Sequence, residues 1–131
     1  MYKWESSERK MNIKLKEFLN SKEKGWSEDF YAKPGIYAII KNGRIIYIGK
    51  TNNFERRFKT DMLRSGFKKS VKKIVFGHTI SNKLFEEMKN RKSVMNFIKS
   101  CSFKMLIVEN ERMRGLLEHF FIAVINPRYN D

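Results

Sequence analysis

Acidic residues are scarce in this sequence: fourteen Asp and Glu stand against twenty-eight Lys and Arg in 131 residues, a formal net charge of +14. A surface with that imbalance repels itself unless a polyanion lies against it, so nucleic acid is the first partner to consider. Cysteine occurs once, at Cys101, which excludes a disulfide framework and reads as a small buried residue. With two histidines and no CxxC or HxxxH spacing, zinc has no ligand set. The longest apolar run, Phe120–Ile125, is far below the ~20 residues that cross a bilayer, and the first residues lack the apolar stretch of a signal peptide. These absences lead us to expect a cytoplasmic chain with no membrane contact. Repeats and low-complexity blocks are missing too, so the order of elements carries the information.

Apolar residues make up 41% and aromatics 14%, with eleven Phe, enough to bury one core in a chain of one domain's length. Met11, Leu15, Phe18 and Leu19 form the stripe of an amphipathic helix over residues 8–22, with Gly25 at its end. Ile36–Ile40 and Ile45–Ile48, separated by Asn42-Gly43, read as a β-hairpin. Asn53 caps a helix with Phe54, Phe58 and Met62 on one side, closed by Gly66. Residues 67–80 fit either a strand or a helical turn. Asn82 starts a helix running to about Lys99, Ser102–Glu109 reads as a third strand, and a last helix from Glu111 stops at Pro127. The expected fold is α+β, an α/β sandwich in which a small, three-stranded, mostly antiparallel sheet is flanked by helices, in the order α-β-β-α-α-β-α.

Chemistry-bearing residues concentrate in the hairpin and the last helix. Gly35-Ile36-Tyr37 is followed after nine residues by Tyr47-Ile48-Gly49, then by Lys50, Arg56 and Arg57; Leu117-Glu118 and Pro127-Arg128-Tyr129-Asn130 close the chain. A two-residue turn at Asn42-Gly43 would pair Tyr37 with Ile48 and set the tyrosines on opposite faces. A three-residue loop including Lys41, with Gly43 left-handed, would set Tyr37 across from Tyr47. Glu118 is the one carboxylate between Glu111 and Asp131 and interrupts an apolar stretch, so it either faces solvent, paired with Arg114 four residues earlier, or serves a site on the helix flank. Arg57, one turn past Asn53, points its guanidinium beside the hairpin, and Arg56 points about 100° away round the helix.

Together these motifs resemble the GIY-YIG nuclease family, over roughly residues 34–131. That divides the chain into a basic N-terminal extension, 1–33, and a nuclease domain, 34–131. The resemblance implies a metal-dependent DNA endonuclease, its catalytic set Tyr37, Tyr47, Lys50, Arg57, Glu118 and Asn130. Glu118 would hold one divalent metal per site, Mg²⁺ or Mn²⁺, and Arg57 would steady the phosphate. A tyrosine would activate water; Tyr37 is favoured as the base, with Tyr47 as its hydrogen-bonded partner. Lys50, Arg56 and Arg57 are the expected DNA contacts, and Asn130 orders the site. Many family members carry His four residues after the Arg, where this chain has Asp61; neither His78 nor His119 is assigned a role. The alternative is a catalytically weak nucleic-acid-binding module using the same basic surface. A bacterial or phage-encoded protein in a host cytoplasm, monomeric or dimeric, fits either reading. A stand-alone nuclease is expected, with no room for a separate DNA-recognition domain.

Overall fold

A computed structural model describes the backbone of residues 4–130 and the side chains of residues 7–66 and 68–130; residues 1–3 of the N-terminal extension and Asp131 lie outside the described residues. Its elements are helix α1 (Trp4–Leu19), strands β1 (Lys24–Gly25), β2 (Gly35–Lys41) and β3 (Arg44–Thr51), and helix α2 (Phe54–Arg56), which runs on into a π-helical turn, Arg57–Asp61. There follow β4 (Ser65–Lys68), β5 (Lys73–Phe76), α3 (Thr79–Met88), α4 (Arg91–Ser100), β6 (Ser102–Ile107), α5 (Glu111–Ile125) and a 3₁₀ turn, Arg128–Asn130.

The main sheet is antiparallel throughout in the order β1-β6-β2-β3. It contains the three expected strands plus the two-residue β1, so Gly25 pairs in a sheet rather than ending the first helix. Central β2 alternates its side chains between two layers. Ile36 and Ala38 join Leu15, Phe18, Ile48, Leu117 and Phe121 beneath α1 and α5, where Phe18 stacks on Phe121 at 4.9 Å. Tyr37 and Ile39 face the opposite layer, built on Phe54, Phe58, Ile80, Leu84, Val94, Ile98 and Phe103. Removing each such side chain from water contributes roughly 1.5–3 kcal/mol.

Two segments depart from the sequence expectation. The helix expected from Asn82 to about Lys99 is two helices, because Lys89 adopts a left-handed backbone (φ 55°) that closes α3 and Asn90 caps α4. The phase break explains the imperfect apolar period. His78 rather than Asn82 caps α3, and Asn82 instead bonds the Phe76 backbone N–H (2.7 Å) and carbonyl (3.1 Å). The open segment is a separate two-stranded ribbon, β4 with β5, in which Gly66 pairs with Val75 rather than closing a helix.

Candidate functional site

The hairpin takes neither of the two expected forms. Its turn is the two-residue one, with Asn42 and Gly43 both left-handed (φ 52° and 75°), and Lys41 pairs with Arg44. Ile40 then pairs with Ile45 but Ile39 with Tyr47, leaving Ile46 as a bulge. That extra residue shifts the register by one, so Tyr37 lies opposite Gly49 and both tyrosines share one face, their ring centroids 6.2 Å apart. Gly49 makes this possible: a Cβ there would lie 2.5 Å from Tyr37 Oη and 2.9 Å from Tyr47 Cε2.

Tyr37 is 1% exposed, and its hydroxyl meets His78 Nε2 at 2.5 Å; no bond joins it to Tyr47. His78 Nδ1 accepts from the Ile80 N–H (3.1 Å), so the ring's single proton lies on Nε2 and is donated to Tyr37 Oη. Burial, with the Arg57 charge adding to it, pulls the imidazole down to about 3, so it is neutral at physiological pH. Burial also pushes the Tyr37 phenol well above its usual range, and neighbouring Tyr47, Glu118 and Asp61 reinforce this against an opposing pull from Arg57. Tyr47 is only half-buried; its pKa is raised by burial and Glu118, and lowered by Arg57 and a hydrogen bond with Thr79.

Arg57 opens the π-helical turn, whose signature bond runs from the Met62 N–H to the Arg57 carbonyl (3.1 Å). Its side chain is 25% exposed, and its buried Nε has no hydrogen-bond acceptor among the described residues. Asp61 Oδ2 lies 3.9 Å from that Nε and 3.8 Å from Arg56 Nε, so the carboxylate standing where the family often has His holds two guanidinium groups. Arg56 itself is exposed.

Glu118 enters from α5. Arg114 does not pair with it: this guanidinium, 6% exposed, donates to the Val108 carbonyl (3.0 Å) and to Asn52 Oδ1 (2.9 Å). Glu118 is thereby left free to face Lys50 and the tyrosines. Burial raises its pKa, while the Lys50 ammonium and backbone N–H favour the ionised form. Lys50 Nζ lies over Gly115, 3.6 Å from where a Cβ would stand. Beside these groups Lys50, Asn52, Arg56, Arg57 and Arg114 line a polar cleft of about 230 Å³. Asn130 grips the free edge of β3 with both ends of its amide, Oδ1 accepting from the Ile48 N–H (2.8 Å) and Nδ2 donating to the Ile48 carbonyl (2.7 Å).

Tyr37, Tyr47, Lys50, Arg57 and Glu118 thus converge, and Asn130 holds the strand behind them rather than reaching into the cleft. No cluster of three or more His, Cys, Asp or Glu occurs among the described residues, which leaves no closed metal cage there. A single half-buried carboxylate suits a hard divalent cation that keeps most of its water. Sequence reasoning missed His78, because nothing in its neighbours foretells a ring-to-phenol bond spanning 41 residues. The one available signal was its place just before an apolar helix, the position of a cap.

Residues 33–111 match the model of the GIY-YIG catalytic domain. Over 99 residues, 75% of this chain, the sequence is 35% identical to UvrABC system protein C of Thermosipho africanus and 28% identical to that of Porphyromonas gingivalis. The chain spans only about 13% of the length of these relatives. Among solved structures, a point mutant of the GIY-YIG N-terminal endonuclease domain of UvrC from Thermotoga maritima, bound to its catalytic divalent cation, superposes with a TM-score of 0.48 at 20% identity, covering 93% of this chain and 96% of that one. The magnesium-bound form of the same domain gives 0.46 at 19% identity, covering 91% and 97%. No helix among the described residues is long and apolar enough to cross a membrane. The motifs quoted from the sequence and the match over residues 33–111 agree: the chain belongs to the GIY-YIG catalytic domain family.

Proposed function

We propose that the chain is a metal-dependent DNA endonuclease that hydrolyses phosphodiester bonds with a tyrosine-activated water. The observation that carries the reading is the meeting of Glu118, from the last helix, with Lys50, Arg57 and both hairpin tyrosines, in electrostatic reach of one another although up to 81 residues apart in sequence. Arg57 offers a fork of donors to two phosphate oxygens, and its Nε, ion-paired with Asp61 but without a hydrogen bond among the described residues, would find an acceptor in a phosphate. Lys50 and Arg56 would hold the flanking backbone from the cleft they line. The base is better placed at Tyr47 than at Tyr37, the choice favoured on sequence, because a water reaching the site meets the half-exposed phenol and not the buried one. Tyr37, tied to His78, then positions Tyr47 and Gly49. Glu118 would hold one Mg²⁺ or Mn²⁺, which when bound supplies Lewis-acid stabilisation of charge on the phosphate. Asn130 fixes the edge strand that carries Tyr47 and Lys50.

A second reading, a module that binds nucleic acid with little turnover, is favoured by Asp61, whose ion pair with Arg57 opposes phosphate binding there. Plasmid nicking with Mg²⁺ or Mn²⁺ separates the two. Wild type should nick, and Glu118→Ala and Arg57→Ala should each fall by about 10²–10³-fold, the typical loss of a group stabilising transition-state charge. Equal nicking by all three proteins removes the enzyme reading; binding without nicking by all three supports the module. A bacterial or phage-encoded, cytoplasmic setting agrees with this activity.

A further inference from the structure

We propose that the β4–β5 ribbon is a DNA-docking arm whose tip enters the major groove of the duplex beside the cut site; the choice of DNA rests on the nuclease reading. The ribbon shares no pairing with the main sheet. Lys68, Lys69, Lys72 and Lys73 crowd its tip, all exposed, and none of the four forms an ion pair among the described residues. No acidic residue occurs between Asp61 and Glu86. Lys68 and Lys73 are direct cross-strand partners, an arrangement of like charges that destabilises a hairpin unless a polyanion lies across it. Lys72 holds a left-handed backbone (φ 52°), and Val71, 49% exposed, puts an apolar side chain at the apex. Lysines reaching phosphates on both sides, with a small apolar tip for a thymine methyl, are what a groove-entering ribbon requires.

Dimensions and anchorage agree. Two paired strands are ~5 Å apart and four residues of strand reach ~13 Å, which suits a groove ~12 Å wide and ~8.5 Å deep. The root is held firmly: the Gly77 N–H bonds the Arg64 carbonyl (2.8 Å), Asn82 bonds both backbone groups of Phe76, and Arg91 donates to Ser65 Oγ (3.0 Å). One end of that root follows the turn bearing Arg57 and Asp61, and the other leads into His78, the partner of Tyr37. A duplex gripped by the tip is therefore registered against the cleft.

The test measures binding of a 30-base-pair duplex in EDTA, by fluorescence anisotropy across salt concentrations, for wild type, the quadruple variant Lys68→Gln/Lys69→Gln/Lys72→Gln/Lys73→Gln, and a control losing four charges from the N-terminal segment (Lys10, Lys14, Lys16 and Lys22 to Gln). Four lost phosphate contacts should flatten the slope of log affinity against log salt by about 3–4, so that wild type loses on the order of 100-fold more affinity than the ribbon variant between 50 and 200 mM. The control should change it by less than about 1. Equal effects of the two variants, or an equal ribbon effect on duplex RNA, whose narrow major groove excludes a ribbon, overturn the proposal. Should the quadruple variant fail to fold, Lys68→Gln/Lys73→Gln carries the same test at half the slope change. Because binding is read without metal, a chain that never nicks but shows the ribbon-dependent slope keeps the arm and loses the nuclease reading; the reverse pattern loses only the arm.

Discussion

Replacing Gly49 by alanine would put a Cβ 2.5 Å from Tyr37 Oη, 2.6 Å from Tyr37 Cζ and 2.9 Å from Tyr47 Cε2, all closer than real side chains approach. Tyr37 has nowhere to retreat: it is 1% exposed, its ring meets Phe58 edge-on at 5.1 Å, and its hydroxyl is held by His78. Overpacking a rigid core costs about 1–3 kcal/mol, and pulling the phenol off His78 adds about 1. The sum, about 2–4 kcal/mol, corresponds to a fall in Tm of roughly 6–20 °C for a chain of this length. Gly66→Ala is the matched control, because a Cβ there meets nothing within 4 Å among the described residues beyond its chain neighbours, and it should stay within about 0.5 kcal/mol of wild type. Circular dichroism melts of the three proteins, with nicking assayed at a temperature where all are folded, give the answer. Should Gly49→Ala melt within 2 °C of Gly66→Ala and nick as fast as wild type, the two tyrosines are not packed as described and the site loses its floor.

His78 gives a pH test. Its folded pKa of about 3 lies below the unfolded value near 6.5, so the neutral ring's contribution is complete above pH 6.5 and drains away as pH falls toward 3. Between pH 7.5 and 5 wild type should lose about 2 kcal/mol that His78→Gln retains, as read by urea denaturation; parallel curves would show that the imidazole is not buried neutral. Asp61→Asn should free Arg57 and tighten duplex binding about 2–5-fold, the scale of a partly exposed ion pair, and unchanged or weaker binding would mean that the carboxylate does not compete with phosphate. The nicking comparison of Glu118→Ala with Arg57→Ala and the salt dependence of the ribbon variant complete the set.

Sequence alone reached the main layers because their elements announce themselves: β2 and β3 are β-branched and aromatic runs set apart by Asn42-Gly43, and α5 carries a three-to-four-residue apolar stripe. The GIY, YIG, Glu118 and Asn130 positions were legible as motifs, but their geometry was not. A bulge leaves no mark in a run such as Arg44-Ile45-Ile46-Tyr47-Ile48, where every residue suits a strand and the register is set by pairing with β2. The ribbon was illegible for a related reason: its lysines suppress the apolar alternation by which strands are read, and its order comes from Asn82, Arg91 and Arg64 at its root. His78 and the break at Lys89 are likewise settled by tertiary contacts and backbone angle, which composition does not encode.

The bulge at Ile46 also separates two things that usually travel together in a core. Adding or removing one residue on the strand that bears it would swap which of Ile45, Ile46 and Ile48 meets the helices, three side chains of one size, so the layer under the helices would barely notice, whereas the opposite layer would lose Gly49 from its place across from Tyr37. Tyr47, however, would swing to the wrong side of the sheet. Hairpin length is therefore guarded from one side of the sheet only, by the fit of Gly49 against Tyr37, so a single-codon insertion or deletion here would undo the tyrosine face while leaving the helix-covered face almost as it was.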